Sequence, residues 1–500
     1  MSFLDRRTFL KTVGSIPLAV WLQRDALAQT TPLVRYDVLS QQGQAMLKIY
    51  EQGVAKMKAL FESDPRSWTF QWYIHAVRGD RTKTTELTRI YPVPGPERTL
   101  AGLVWSTCQA HFNSANRPFF LPWHRLYVLR FERIIRKLTN QPTFTLPYWN
   151  YSASGSTHGI LPAAFRVSTS SLFVQNRRSA VNAGLPIDAS SSGALATTAL
   201  NQCTYNPQGV LPGFCQALDS GLHGNVHILI GDGQNMGSVR WAARDPIFWL
   251  HHSNIDRLWA SWNRAGRSNP SSTTFLNTTF TFADENGRQV VGKVGDVLSI
   301  SRLSYAYSSY ALVPSCPQTS STSTALTDTQ TTSTDLLQST RESARVLAAA
   351  GPVPLASEPI RVQLKSSEAR GAAPGTTFDK RIRGLRPTTH VYLVISKLQA
   401  AVEPEVLYEV YLVPSEEAGT KPRTKHRVGT INFFDAVRHG EDAQSLETDE
   451  SFVSLDITHH VRRLLVEGHL KGEPSVTIIP EGQPATDAKP IIGSIELAFQ

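Results

Sequence analysis

Apolar residues recur at helical spacing in the first three fifths of the chain and gather into short strand-like runs in the last part. From Ser40 to Phe61, the residues Leu47, Tyr50, Val54, Met57 and Phe61 fall every three or four positions. This predicts an amphipathic helix ended by Asp64-Pro65. A second helix is predicted from Pro122 to about Leu138, with His124, Val128, Glu132 and Ile135 on one face. A third should follow His251-His252, its buried stripe formed by Ile255, Trp259 and Trp262. A short helical turn is expected around His223 and His227. Between Ser152 and Gly221 the chain is rich in Ser, Ala, Asn and Gly and reads mostly as loop. Beyond Glu358 the runs His390–Ile395, Leu407–Val413, Val476–Ile479 and Ile495–Phe499, set apart by Gly, Pro and charged turns, predict strands. One helical piece, about Ile457 to Val466, interrupts them.

Composition divides the chain. From Ser315 to Thr340 it is dominated by Ser and Thr, with little to bury, which is the mark of a flexible linker. The expected order is a leader over residues 1–28, a mainly α domain over 29–312, a linker over 313–357, and a β-rich domain of sandwich or barrel type over 358–500. No internal repeat is evident. A length of 500 residues suits two or three domains. The 41% hydrophobic and 18% charged content is ordinary for a globular protein. The net charge of +9 is spread along the chain, with no basic run interleaved with aromatics, so no nucleic-acid footprint is read.

The N-terminus carries Asp5-Arg6-Arg7-Thr8-Phe9-Leu10-Lys11, an apolar stretch from Val13 to Leu22, and Ala26-Leu27-Ala28. This pattern looks like a twin-arginine export signal cleaved after Ala28, which implies a bacterial periplasmic or secreted product. The apolar stretch falls short of the roughly 20 residues that span a bilayer, and no other spanning segment is found. Four cysteines, Cys108, Cys203, Cys215 and Cys316, make no disulfide scaffold and no CxxC motif. In an oxidising compartment Cys203 and Cys215 can pair across a short loop.

The candidate chemistry lies in the histidines. Eight of the fourteen precede the linker. His223 and His227 are i, i+4, so both rings project from one helical face toward one metal. His252 opens the next helix and can supply a third nitrogen. His124 likewise opens a helix, with His111 and His75 arriving from upstream. Imidazole suits copper, zinc, iron and nickel alike, so spacing alone does not name the metal.

Phe120-Leu121-Pro122-Trp123-His124-Arg125, continuing through Val128 to Glu132, resembles the copper-A signature of tyrosinases and polyphenol oxidases. Asp245-Pro246-Ile247-Phe248-Trp249-Leu250-His251-His252-Ser253-Asn254-Ile255-Asp256-Arg257-Leu258-Trp259 resembles their copper-B signature. The likeness leans to the plant-type, two-domain enzymes and their bacterial relatives. It extends to Leu146–Asn150, Asn235-Met236-Gly237, Phe282–Gly287, Tyr305-Ala306-Tyr307, Leu407–Leu412 and Ile492–Leu497. The chain departs from the family in the stretch Asn113–Arg117, which looks like a small insertion between His111 and His124. Cys108, three residues before His111, does not match the spacing of the family's thioether cysteines and reads as a free or structural thiol.

The resemblance implies a dicopper centre held by His75, His111, His124, His223, His227 and His252, with O2 as co-substrate. It places His251 beside the centre and Asp256 as a brace of the copper-B helix. It also implies oxidation of small phenolic substrates, o-diphenols leaving as o-quinones. Bound imidazoles must be neutral, so acid should disable the site. Asp219 falls where the family has an acid that holds a water. Gly224 falls where many tyrosinases have a water-holding Asn, and Val239 where plant catechol oxidases have a bulky Phe. These three positions imply strong diphenol oxidation and weaker monophenol hydroxylation. The other readings are a true tyrosinase, an o-aminophenol oxidase, and an O2-binding protein of the molluscan oxygen-carrier type. The β-rich domain is expected to cover the mouth of the site.

Overall fold

The computed structural model describes residues 32–109, 117–316, 345–366, 378–413, 424–434, 436–437, 452–470 and 472–500. The leader, His111 with the neighbouring Asn113–Asn116 stretch, and most of the Ser/Thr-rich segment lie outside these residues.

The first domain is a set of helices around one aromatic-rich core. They are α1 (Gln41–Ala59), α2 (Trp68–His75), α3 (Lys83–Ile90), α4 (Pro96–Val104), α5 (Phe120–Thr139), α6 (Gly224–Ile230) and α7 (Ile247–Arg264). Ser40 starts α1 by accepting a hydrogen bond from the Gly43 N–H. Leu47, Tyr50, Val54 and Met57 are buried as the pattern predicts, but Phe61 is 87% exposed. The helix stops at Ala59 and Leu60 is extended, which swings Phe61 out to solvent. Helix α5 begins two residues before the expected Pro122, and α7 begins at Ile247, more than a turn before His251-His252, so His124 and His252 both sit inside their helices. At α7 the Asp245 carboxylate accepts from the Ile247 N–H and sets the earlier start. Between Ser152 and Gly221 only single turns of helix form, as at Ala163–Phe165, Ser179–Asn182 and Thr198–Asn201.

Two parallel strands, β1 (Leu33–Arg35) and β4 (Tyr305–Tyr307), join the ends of this domain behind α5 and α7; the hairpin β2 (Thr279–Ala283) and β3 (Gln289–Lys293) lies between them in sequence. Arg35, fully buried, bonds Glu132 of α5 at 2.9 Å and Asp256 of α7 at 3.1 Å. Tyr305 and Tyr307 donate to the same Asp256 carboxylate at 2.6 and 2.5 Å, and Arg125 pairs with it as well. Burial alone would push the Asp256 carboxyl up; Arg125 and then Arg35 outweigh it and hold it below the usual carboxylate range. A charge buried this deeply is tolerated only with such partners. The expectation that Asp256 braces the second signature helix thus has a concrete form.

The second domain is a two-sheet sandwich, not a closed barrel. One sheet runs β11 (Arg427–Ile431), β10 (Tyr408–Val413), β13 (Ser475–Pro480), β7 (Ile360–Gln363). The other runs β12 (Phe452–Asp456), β9 (Val391–Gln399), β14 (Ile491–Phe499), β5 (Arg345–Ala350), β8 (Lys365–Ser366), with β6 (Val353–Pro354) also on β14. Their inner faces, with α8 (Phe378–Arg383) and α9 (Thr458–Val466), make a second core. Strand β9 shows why its sequence is almost continuously apolar. Leu393 and Ile395 face that core, while Tyr392 and Val394 pack with Phe452 on Val210 of the first domain. Strands β5 and β6 fall inside the stretch read as linker. Arg345–Ala350 is alanine-rich and has little strand character of its own, and pairing with β14 makes it a strand.

Cys203 is bridged to Cys316, with the Cα atoms 5.9 Å apart, and not to Cys215. Cys215 points into the core from the turn Phe214–Ala217, and burial pushes its thiol up to about 12. The bridge closes a separation of 113 residues and pins the end of the first domain. Removing a native cross-link typically costs about 2–5 kcal/mol, with long loops toward the upper end. Cys203→Ser and Cys316→Ser should each lower the unfolding free energy of the oxidised protein by that amount in urea titration. Reductant should then have no further effect. If Cys203 and Cys316 both label as thiols in the unreduced, denatured chain, the bridge is refuted.

Candidate metal centre

Four helices bring the predicted histidines to one buried place. His75 ends α2, His124 lies in the second turn of α5, His223 and His227 flank the start of α6, and His251-His252 lie in α7. All are 2% exposed or less. They form two groups of donor atoms, His223, His227, His251 and His252 in one, His75, Cys108 and His124 in the other. The His124 and His252 rings lie face to face with centroids 4.3 Å apart, so the groups adjoin. Of the expected ligand set, only His111 falls outside the described residues.

The rings are held from behind. His75 Nδ1 lies 3.0 Å from the Val239 carbonyl, His124 Nδ1 2.8 Å from that of Phe120, and His227 Nδ1 2.8 Å from that of Met236. His223 Nδ1 meets the Asp219 carbonyl at 3.3 Å and its carboxylate at 3.0 Å. In each case Nδ1–H donates backward and Nε2 points inward with its lone pair, which is how ligating histidines are oriented. His223 Nε2 and His227 Nε2 converge to 3.1 Å, as the i, i+4 spacing predicted. The turn before α6 is of π type from Leu218 to His223, and Asp219 and His223 both lie within it.

His251 differs from His252. His251 Nδ1 is 3.1 Å from the Tyr151 hydroxyl and its Nε2 has no hydrogen-bond partner among the described residues, whereas at His252 neither ring nitrogen has one among them. A buried polar atom without a partner costs about 1–3 kcal/mol, which a bound metal would offset. Burial, then the neighbouring imidazoles, hold His227, His251 and His252 well below the usual histidine range. They are neutral at neutral pH and ready to ligate. The donor chemistry therefore fits metals that favour imidazole, copper among them. Cys108, which is in no disulfide, lies with Sγ 3.6 Å from His124 Nε2, closer to the centre than its reading as a structural thiol implied.

Two contributors were not found in the sequence. Phe434, from the turn after β11 in the second domain, stacks on the His227 ring at 4.1 Å and 14° and meets His223 edge-on at 5.6 Å. Asn432 in the same turn donates from Nδ2 to the Ser220 carbonyl at 2.8 Å and to Asn225 Oδ1 at 2.9 Å. Around them Gln216 donates to the Phe452 carbonyl at 2.6 Å, Ser454 to that of Val210 at 2.6 Å, and the Gly233 N–H to Glu405 at 2.7 Å. Nothing in the strand pattern of the second domain singled out this turn. Its only signal was the apolar pair Phe433-Phe434 just past a strand end.

Comparison with known proteins agrees with this geometry. Residues 65–209 and 194–265 match the common central domain of tyrosinase, residues 270–314 the polyphenol oxidase middle domain, and residues 342–500 a domain of unknown function. The tyrosinase HcTyr1 of Hahella sp. is 33% identical over 312 residues, 55% of this chain and 62% of its own length. Aureusidin synthase of Antirrhinum majus is 31% identical over 299 residues, 53% and 49% of the two chains. The chain thus matches about half to three fifths of the length of these relatives. Among solved structures, latent apple tyrosinase superposes with a TM-score of 0.58 at 22% identity, covering 94% of this chain and 97% of that one. A latent aurone synthase (polyphenol oxidase) gives 0.59 at 19%, covering 94% and 90%. These likenesses take in both domains of the fold. With two adjoining groups of inward-facing imidazoles brought together by α2, α5, α6 and α7, the chain belongs to the tyrosinase and polyphenol oxidase family of type-3, dicopper proteins.

Proposed function

We propose that the protein is an oxidase of o-diphenols, releasing o-quinones, with weaker hydroxylation of monophenols. The observation that carries this reading is the pair of adjoining imidazole groups, each described ligand of the proposed set except His252 tied at Nδ1 to a main-chain carbonyl. His75 and His124, with His111, would hold one copper, and His223, His227 and His252 the other. The bound metals supply O2 binding and electron transfer. Two diphenols give up four electrons and four protons in all, and one O2 becomes two waters. The protein's part is to keep the imidazoles neutral and aimed inward, and to exclude bulk water from a site walled by Phe120 and Phe248. The Asp219 carboxylate against His223 Nδ1 fixes the orientation of that ring. Val239 holds His75 through its carbonyl, and its modest side chain leaves the copper-A side open. The turn carrying Phe434 makes the second domain a lid on the site. Among the described residues no helix is long and apolar enough to cross a membrane. With the twin-arginine pattern at the N-terminus, we propose export of the folded protein.

Hydroxylation needs the monophenol deprotonated, and Gly224 has no side chain to hold a water for that. The competing reading, a true tyrosinase, is favoured by the Hahella relative. A copper-loaded assay of catechol, a monophenol and an o-aminophenol side by side separates the readings. The expected result is fast catechol oxidation and slow, lag-prone monophenol turnover. With the lid removed, Gly224→Asn should raise the monophenol rate relative to the diphenol rate. Equal rates for tyrosine and its diphenol in the unaltered enzyme would make it a tyrosinase, and reversible O2 uptake without catechol turnover would make it a carrier.

A further inference from the structure

Gly224 opens α6 between the two copper-B histidines, in an ordinary helical conformation with φ −61° and ψ −36°. Any residue adopts that conformation, and alanine is the better helix former there. The backbone therefore gives no reason for glycine. The reason lies across the domain boundary. A Cβ built on Gly224 would stand 2.5 Å from Asn432 Oδ1, 2.8 Å from Nδ2 and 2.9 Å from Cγ of the lid. Asn432 cannot simply swing aside. It is buried, its Nδ2 is bound to Ser220 and Asn225, and its Oδ1 accepts from the Phe434 N–H at 3.2 Å. That last bond is the side-chain-to-backbone closure of an Asx turn, and it fixes the residue whose ring lies on His227.

We infer that Gly224 is the docking notch for the lid: the missing side chain makes room for the Asn432 amide, and the seated amide sets the depth of Phe434 over the copper-B ligands. This rests on the reading of the second domain as a lid and adds the residue pair that registers it. It also gives the glycine a second role beside any effect on hydroxylation, because a side chain at 224 lifts the lid before it can hold a water.

The test is a double-mutant cycle in the full copper-loaded chain, read by catechol oxidation per copper and by hydrogen exchange over residues 427–434. Gly224→Ala should raise the rate, since overpacking a fitted site shifts an equilibrium by about 5- to 150-fold, and should speed exchange in that segment. Asn432→Ala on the native background loses the amide bonds and should raise the rate by a smaller factor, about 3- to 10-fold. Added to Gly224→Ala, the same Asn432→Ala removes the three atoms nearest the new methyl group, all of them closer than 3.0 Å, and so should lower the rate and slow exchange. Such a reversal of sign comes from a steric interlock and not from separate contacts. The comparison within the Gly224→Ala background cancels any direct effect of position 224 on chemistry. Unchanged exchange in Gly224→Ala, or an Asn432→Ala effect of the same sign on both backgrounds, overturns the notch. Should exchange follow the cycle while the rates do not, the notch stands and the lid reading of the second domain fails.

Discussion

His227→Ala is expected to abolish catechol oxidation and to reduce the bound copper from two ions per chain to one. His227 is fully buried, its Nδ1 is fixed by the Met236 carbonyl, and its Nε2 meets His223 Nε2 at 3.1 Å. Alanine removes one nitrogen from the three-nitrogen set proposed for that copper. Losing a partner behind a ligand typically costs 10- to 100-fold. Losing the ligand itself should cost at least about 10³-fold, because a site left with one copper would lose the second metal's share of O2 binding and electron transfer. The fold should survive. The ring's bond to the main chain is to the Met236 oxygen, and leaving that oxygen unpaired costs about 1–3 kcal/mol. Metal analysis, catechol turnover and thermal unfolding on the same sample check all three parts. His251→Ala is the control, since Tyr151 rather than the metal engages its Nδ1, and it should keep both coppers. One zinc and no copper in the unaltered protein would sink the reading, and so would wild-type turnover by His227→Ala.

Local signals carried the sequence reading far where they were dense. The i, i+4 pair His223 and His227 needed only helical geometry, and the structure places both Nε2 atoms together. The stripe Ile255, Trp259 and Trp262 is buried as its spacing requires. Strands β9, β10, β13 and β14 lie where β-branched and aromatic residues cluster, within a residue or a few at each end. Failures fell where the deciding partner is remote in sequence. Cys203 is 12 residues from Cys215 and 113 from Cys316, so loop length favoured the wrong bridge; the burial of Cys215 decides it, and no local pattern records that. Residues Arg345–Ala350 have an alanine-rich sequence and become a strand only against β14. Asn432 and Phe434 act more than 200 residues away from Gly224 and His227, on a surface that exists only after both domains have folded.

Removing the lid is the second change with a large expected effect. Phe434 is 2% exposed, packs within the first domain's core and lies flat on His227, the face by which a phenol would approach on the proposed reading. A substrate ring and the Phe434 ring cannot both stack there. Turnover of the intact chain is then limited to the fraction of molecules with the lid raised. Truncating a buried Phe to Ala costs about 3–5 kcal/mol in a core. If even 3 kcal/mol of that falls on docking, the open fraction rises by about 10²-fold, up to the limit where the lid is open throughout. Phe434→Ala should therefore raise catechol oxidation by about 10- to 100-fold with copper content unchanged. Protease cleavage within residues 317–344 is the companion experiment, because both flanks are fixed: Cys316 by its bridge and Arg345 onward by β14. Cleavage alone should do little. The contacts through Gln216, Ser454 and the apolar patch of Val210, Tyr392, Val394 and Phe452 hold the lid without the linker. Activity should rise only when the severed domain is separated, for instance by mild detergent followed by gel filtration, and should reach the level of Phe434→Ala or above. A separated first domain that is copper-loaded and folded but no faster than the intact chain would refute the lid. So would a Phe434→Ala rate within twofold of the unaltered protein.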